Sequence, residues 1–520
     1  MPGCLSPALT LARLWQLKEW RWDRLLEHLR TEGIVGPILG RVRPAVFVAW
    51  LLLLLLDHQS DTPLHTLMEW TLGILALFGV LSIAQILLGK QPRPLWTMKA
   101  LVLVSTTLLL TLAVAFILAE PQLVGADQPV FLTLAVLPFL QPVLLAIAWI
   151  IFFPVDRLLK ERIMKKARAF RALYPDLIVI GITGSVGKTT TKELLHHILA
   201  GRRPLTTPEH VNSEMGVSQW MLRELPAFMK TRAGESMPPV MIVEMGAYKR
   251  GEIELLSSIV KPSIGILTFI GSQHLALFGS MQNVQAAKRE ILTTLPKDGQ
   301  AFLNADNELA RALKTICPCP VTTVGTSGAD LRAEDIEETP EGIRFTAGRT
   351  SFSLPLHGTH NVTNVLLAIA AAQHLGLDLT TIAKQLRTFS GPKRTFEVRR
   401  EGDIAILDDT HNASAASFRA AIDWARMHPA KTKVLLTSGI IELGEEEDRT
   451  HRELGEHAAG IFQRVIFTHD GSSKAFGFGF GRSVEILGKD TPPVTGDALL
   501  VCVGRMSAGA VKRVLPHVRE

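Results

Sequence analysis

Residues 181–192 read GITGSVGKTTTK. The apolar run Leu177-Ile178-Val179-Ile180 precedes them and has the composition of a buried strand. ELLHHIL follows and reads as a helix. A strand, a glycine-rich turn and Lys-Thr at a helix start make a phosphate-binding loop. Backbone N–H groups at Gly184, Ser185, Val186, Gly187 and Thr190 can surround a polyphosphate. Lys188 can reach its outer phosphates, and the Thr189 hydroxyl can ligate Mg²⁺. The spacing departs from the usual G-x-x-x-x-G-K-T, because Ile182 stands where the first glycine is expected and the glycines fall at Gly181 and Gly184.

Working outward, the 520 residues imply several domains. The 47% hydrophobic content and mean hydropathy of +0.23 are high for a soluble enzyme, and the excess sits in the first 155 residues. Four apolar stretches stand out there: Pro44–Leu56, Leu67–Leu88, Ala100–Ala119 and Val130–Phe153. The last two match the roughly 20 residues needed to cross a hydrocarbon core, and the first is short. Lys and Arg lie before the first stretch, between the second and third, and after the fourth, while the other two loops carry none. The positive-inside rule then gives four spans with both ends cytoplasmic, in an inner (cytoplasmic) membrane. The net charge of +6 therefore reads as membrane-related, not as a nucleic-acid footprint. Residues 8–32 have apolar positions at helical spacing with three tryptophans and basic residues opposite, which suits a helix at the lipid surface or one packed on the protein's own core.

From about Leu173 onward strand-like apolar runs alternate with helical segments, implying α/β domains with mostly parallel sheets. The expected organisation is an amphipathic helix over 1–35, a membrane α-helical region over 36–154, a basic linker over 155–172, a central P-loop ATPase-like domain over 173–393 and a Rossmann-like domain over 394–520. Glu244, His274 and Asp408 fall at the carboxyl ends of strand-like runs, where such sheets place chemistry. Each could instead cap a helix or line a turn. AFGFGFGRS (475–483) reads as a loop, and Cys317-Pro-Cys319 as an incidental reduced pair.

The segments taken in order resemble the Mur ligases. GITGSVGKTTTK resembles their ATP loop. It is followed by HVNSEMGVS (210–218), VEMGAYKRGEIE (243–254), TFIGSQHLALFGSMQNVQAAKREI (268–291), LNADN (303–307), HGTHNVTNVLLAIAAA (357–372), GPKRTFEV (391–398), LDDTHNAS (407–414) and IELGEEEDRTH (441–451). The E-M-G-A…G-E-I segment resembles that of the member adding D-alanyl-D-alanine to a muramoyl tripeptide. The resemblance implies an ATP-dependent amide ligase of cell-wall synthesis that works through an acyl phosphate. It implies Mg²⁺ held by Thr189, Glu244 and His274. It also implies a carbamylated Lys288 in the metal site, and adenine near Asn304. His360, Asn361 and Asn364 would lie near the nucleotide, with Arg394 and Asp408 reaching the phosphates and ribose.

Three departures stand against it. Ala276 replaces an acid, and Cys502 stands where relatives carry Lys, with Arg505 keeping the Arg. No UDP-binding domain is evident: only about 20 residues separate the fourth stretch from the loop strand, too few for a domain. The expected acceptor is a muramoyl peptide, with a lipid-linked form suggested by the membrane segment, and the expected amine is D-alanyl-D-alanine or a similar one. Alternatives are a related ligase acting on a lipid-linked glycan or poly-amino-acid, and a membrane transport ATPase.

Overall fold

The computed structural model describes residues 2–17, 20–22, 24–26, 45, 47, 48, 52, 64–119, 136–273, 275–339, 342–411, 413–440, 443 and 446–515. The chain divides into two compact units, Met1–Glu161 and Arg162–Glu520.

The first unit is helical: α1 (Pro2–Leu17), α2 (Leu64–Leu87), α3 (Met98–Ala119) and α4 (Leu137–Ala172). Among the described residues, α3 over Met98–Ile117 and α4 are long and apolar enough to cross a membrane. The expected first span, Pro44–Leu56, lies outside the described residues apart from isolated positions, as does the start of the fourth. The expected long surface helix differs from what is found. The helix ends at Leu17, and its Leu9, Leu11, Ala12 and Trp15 are buried in a cluster with Ala100, Leu103, Leu145 and Ala148. The helical spacing was right, but the apolar face covers the protein's own core. Residues 155–172, expected as a basic linker, are the helical second half of α4, which continues without a break from the apolar stretch, and the boundary between the two units falls among them. Asp156 pairs with Lys99 of α3 and with Lys160, at 2.9 and 3.0 Å, and Arg157 pairs with Glu161 at 2.9 Å.

In the second unit, β1 (Ile178–Thr183), β2 (Leu205–Thr206), β3 (Val240–Glu244), β4 (Ile264–Leu267), β5 (Gln300–Asn304), β6 (Val321–Gly325) and β7 (Leu331–Arg332) form a parallel sheet in the order β2-β3-β1-β4-β5-β6-β7. The strands are nearly continuous apolar runs because helices cover both faces. One face packs Ile180, Ile182 and Ile242 against the helix Asn361–His374 and a small antiparallel sheet over 334–354. The other packs Val179, Met241 and Val243 under the helices Glu214–Thr231, Glu252–Val260 and Met281–Thr293.

A second sheet has strands Glu397–Glu401, Ile404–Asp409, Ala498–Val503, Thr432–Thr437, Arg464–Phe467 and Glu485–Ile486, in that spatial order. Its first strand is antiparallel and the rest are parallel. AFGFGFGRS is not a loop; most of it lies in the helix Ser473–Phe480. Its glycines explain this. A Cβ on Gly479 would stand 2.0 Å from the Arg452 carbonyl oxygen, so two helices meet backbone to backbone where only glycine fits. Cys317 and Cys319 are both free, with sulfurs 3.3 Å apart.

Candidate active site

The carboxyl ends of the two sheets face one cavity of about 410 Å³. β1 ends in the loop 184–187, and the helix Lys188–Ile198 starts at once. Gly184 has φ +155°, and a Cβ there would meet the Thr268 hydroxyl oxygen at 2.0 Å. Gly187 has φ +85°, and a Cβ there would stand 2.2 Å from Asn364 Oδ1. The irregular glycine spacing follows: glycines stand where the loop is crowded or left-handed. The loop is braced from outside, since Thr268 Oγ1 donates to the Val186 carbonyl and Ser185 Oγ to that of Gly271. The Lys188 ammonium folds back on its own loop, donating to the carbonyls of Gly184 (2.7 Å) and Ser185 (3.2 Å).

The first wall is Thr189, Glu244 and Lys288. The Thr189 hydroxyl donates to Glu244 Oε2 at 2.9 Å, and Asn212 Nδ2 to Oε1 at 3.1 Å. Lys192, wholly buried one turn beyond Thr189, stands 3.6 Å from Glu244 and donates to the Thr207 carbonyl. Burial pushes the Glu244 carboxyl upward, but Lys188, Lys192, Asn212 and Thr189 outweigh it and hold it below the usual carboxylate range. An ionised carboxylate with a hydroxyl beside it suits a hard cation, and Mg²⁺ takes oxygen ligands of this kind. Lys288, on the helix Met281–Thr293, also lines the cavity and is buried. Its ammonium is pushed down to about 7, first by burial and then by Lys188, against the pull of Glu252 and Glu290. Those two acids serve the fold: Glu290 accepts from the amides of Gly251 and Glu254 at a helix start, and Glu252 from that of Tyr248.

The second wall comes from the second sheet. Arg394 sits at φ +59°, and its guanidinium is tied to Thr410 Oγ1 (2.8 Å) and to the carbonyls of Thr410 and Met506. His411 and Arg505 complete this side.

The structure thus brings Ser185, Val186, Gly187, Lys188, Thr189, Thr190, Glu244, Lys288 and Arg394 to one cavity. Other expected residues lie elsewhere. Asp408 is buried and turned away from the cavity, against Arg399 (3.4 Å) and Thr410 (2.6 Å), so it positions Thr410, which holds Arg394. Asn304 turns its Oδ1 onto the amides of Asp306 and Asn307. His360 is exposed and packs edge-on against Phe396. Asn361 donates to the His357 carbonyl and accepts from Asn364, whose own Oδ1 abuts Gly187; the pair supports the loop from behind. His274 lies outside the described residues. Cys502 is buried in the core of the second sheet, whereas Arg505 reaches the cavity. Sequence reasoning missed Asn212, Lys192 and Thr410 as site residues. Lys192 had a signal, since it stands one turn beyond Thr189 on the same helix face.

Comparison with known proteins agrees with this geometry. Residues 182–372 match the Mur ligase middle domain. The UDP-N-acetylmuramoyl-tripeptide–D-alanyl-D-alanine ligase of Synechocystis is 32% identical over 305 residues, covering 58% of this chain and 64% of that protein. The ligase of the same name from Mycobacterium bovis is 30% identical over 357 residues, covering 62% of this chain and 67% of that protein. The chain thus spans about two thirds or less of the curated relatives it matches. The crystal structure of MurF from Acinetobacter baumannii superposes with a TM-score of 0.61 at 25% identity, covering 68% of this chain and 80% of that one. With a shared middle domain, a shared fold and 30–32% identity to two such ligases over the aligned residues, the chain belongs to the Mur ligase family.

Proposed function

We propose that this protein is an ATP-dependent, ADP-forming amide ligase that joins D-alanyl-D-alanine, or a closely similar amine, to a muramoyl-peptide carboxylate. One observation carries the reading: the phosphate loop, the Thr189–Glu244 pair, Lys288 and Arg394 converge on a single cavity fed by two domains.

The chemistry follows from the residues. A carboxylate oxygen attacks the γ-phosphorus of ATP, the bond to the β-phosphate oxygen breaks, and ADP leaves with the electron pair. The amine then attacks the acyl carbon, loses a proton, and expels inorganic phosphate. Lys188 leaves its two carbonyl partners to neutralise the moving phosphoryl group, and Arg394 contributes from the opposite wall. The rigid ties of Arg394 to Thr410 and Met506 hold it in place before ATP arrives. Thr189 and Glu244 would hold Mg²⁺, whose charge offsets that of the phosphates. Closure of the second domain keeps water from the acyl phosphate. We assign Lys288 a carbamate: burial depresses its pKa to about 7, leaving a neutral amine that can add CO₂ and release a proton. An ammonium there would repel Lys188 and a cation alike.

We also read the first unit as an inner-membrane anchor with the catalytic domains on the cytoplasmic side. What supports this is the apolar surface that α3 and α4 leave uncovered, including Leu109, Leu112, Phe116, Ile147, Ile150 and Ile151. α4 runs to Ala172 and β1 starts at Ile178, so the phosphate loop follows the helix almost directly. That short connection along the chain is our reason for reading the acceptor as lipid-linked and not as soluble and UDP-linked. The test is ADP release by the detergent-solubilised protein with D-alanyl-D-alanine and each acceptor in turn. Turnover with either acceptor, strictly dependent on the amine, supports the ligase. Preference for the UDP-linked acceptor removes the lipid-linked part alone. ATP hydrolysis indifferent to both substrates removes the whole reading.

A further inference from the structure

The reading above leaves unused a second group of metal-type donors at the same cavity. Glu209 and His210 lie in the loop after β2, on the first domain's side, and His411 follows the strand Ile404–Asp409 of the second. His411 Nε2 stands 3.1 Å from Glu209 Oε1, and His210 Nε2 stands 3.6 Å from the same oxygen. One ligand atom from each of the three lies within 4.8 Å of the others, the only such group of three among the described residues. A tetrahedral ion with ligands near 2.0–2.1 Å holds its donors roughly 3.3 Å apart, so the two distances to Glu209 are close to those of a bound site. The two imidazoles are stacked, with centroids 5.1 Å apart and planes 18° off parallel, so the rings turn for both nitrogens to meet one ion. Neither ring arrives there by default. His210 sits at φ +65°, an uncommon conformation for a residue other than glycine, and the His411 amide is pinned to the Arg394 carbonyl at 3.0 Å.

We propose that Glu209, His210 and His411 form a transition-metal site of the Zn²⁺ class that joins the two domains of the second unit. Donor chemistry separates it from the Mg²⁺ pair. Two imidazole nitrogens and a carboxylate favour Zn²⁺ and its neighbours, whereas Thr189 and Glu244 offer oxygen alone. Three protein ligands leave a fourth position open, and all three residues line the cavity, so water or a substrate oxygen can fill it. Because the ligands come from two domains, the ion binds only when they are closed. By linkage, Zn²⁺ and a nucleotide that also spans the domains tighten each other's binding by the same factor.

The test uses the full-length, tag-free protein in detergent, stripped with chelator and dialysed against micromolar Zn²⁺ in the presence of excess Mg²⁺. The expected result is one Zn²⁺ bound per chain. His210→Ala and His411→Ala should each weaken it at least about tenfold, while Glu244→Gln leaves it in place. Co²⁺ in place of Zn²⁺ should give the visible absorption of a four-coordinate site, lost in both histidine variants. Thermal unfolding of the variants in the absence of metal checks that they remain folded. No stoichiometric Zn²⁺ in the wild-type protein, or Zn²⁺ retained by a folded H210A/H411A double variant, overturns the proposal. These readouts use neither acceptor nor amine, so they stand apart from the ligase assignment.

Discussion

The two walls of the cavity are built in different ways. The first is local and buried: Lys188 and Thr189 open one helix, Glu244 ends an adjacent strand, and Lys288 comes from a helix on the same sheet. The second is carried by the other sheet's loops, where Arg394 is held by Thr410 and by Met506. Each wall is therefore fixed by the fold of one domain, and the cavity is complete only when the two domains are seated together. On the proposed reaction, the first wall should govern phosphoryl transfer itself and the second its assembly.

The largest effect expected is at Lys188. Lys188→Met should lower kcat by about 10³-fold or more, since it removes a charge that neutralises the transferring phosphoryl. Single-turnover ADP formation would show it, and a loss of only a few-fold would break the division between the walls. Arg394→Ala should cost about 10²-fold and also raise the KM for ATP. Thr410→Val should reproduce part of that loss with Arg394 still present, because Thr410 accepts the guanidinium hydrogen bond. If Thr410→Val is silent, the second wall is not preassembled.

Lys288 sharpens the comparison through pH. With its pKa depressed to about 7, the folded protein carries a penalty that is complete below that value. The penalty is relieved as pH rises towards the ordinary lysine value, because only the unfolded chain then holds the extra proton. Lys288→Met should therefore gain more stability relative to wild type at pH 6 than at pH 9, measured by denaturant unfolding at both. The neutral amine also grows through pH 7, so CO₂-dependent activation of the wild type should be stronger at pH 8 than at pH 6.

The smallest effect is at Asp409. Burial first, and then Asp408, push this carboxyl up to about 6, and its Oδ2 has no partner. A raised carboxyl pKa costs stability that grows from the ordinary value to pH 6 and is constant above. Asp409→Asn should be neutral or slightly stabilising at pH 7, with the difference gone below about pH 4.

The phosphate loop of the first wall was legible in the sequence, because strand, loop and helix are contiguous over 178–198 and the chemistry follows the spacing, whereas Lys288 entered only through the family resemblance. The βα alternation likewise announced the parallel sheets. Residues whose roles depend on side-chain direction were not legible. Asp408 ends its strand as expected, yet it points to Arg399 and Thr410 while His411, three residues on, lines the cavity. Asn304 shows the same limit: its place at the end of β5 was clear, but its side chain satisfies a turn. Periodicity found the apolar face of α1 without showing what covers it, and the glycines of the helix Ser473–Phe480 imitated a loop. For Asp408 and Asn304 the deciding contacts are side-chain hydrogen bonds to near neighbours in the chain, and for α1 and the helix Ser473–Phe480 they are contacts with distant segments.

The central claim is that a carboxylate is phosphorylated in this cavity before an amine displaces the phosphate. The most direct measurement uses an acceptor whose carboxylate carries heavy oxygen, with ATP and D-alanyl-D-alanine, and reads the isotopic mass of the inorganic phosphate released. The account predicts one labelled oxygen in each phosphate and loss of the transfer in Lys188→Met. Unlabelled phosphate from a turning-over enzyme would contradict it.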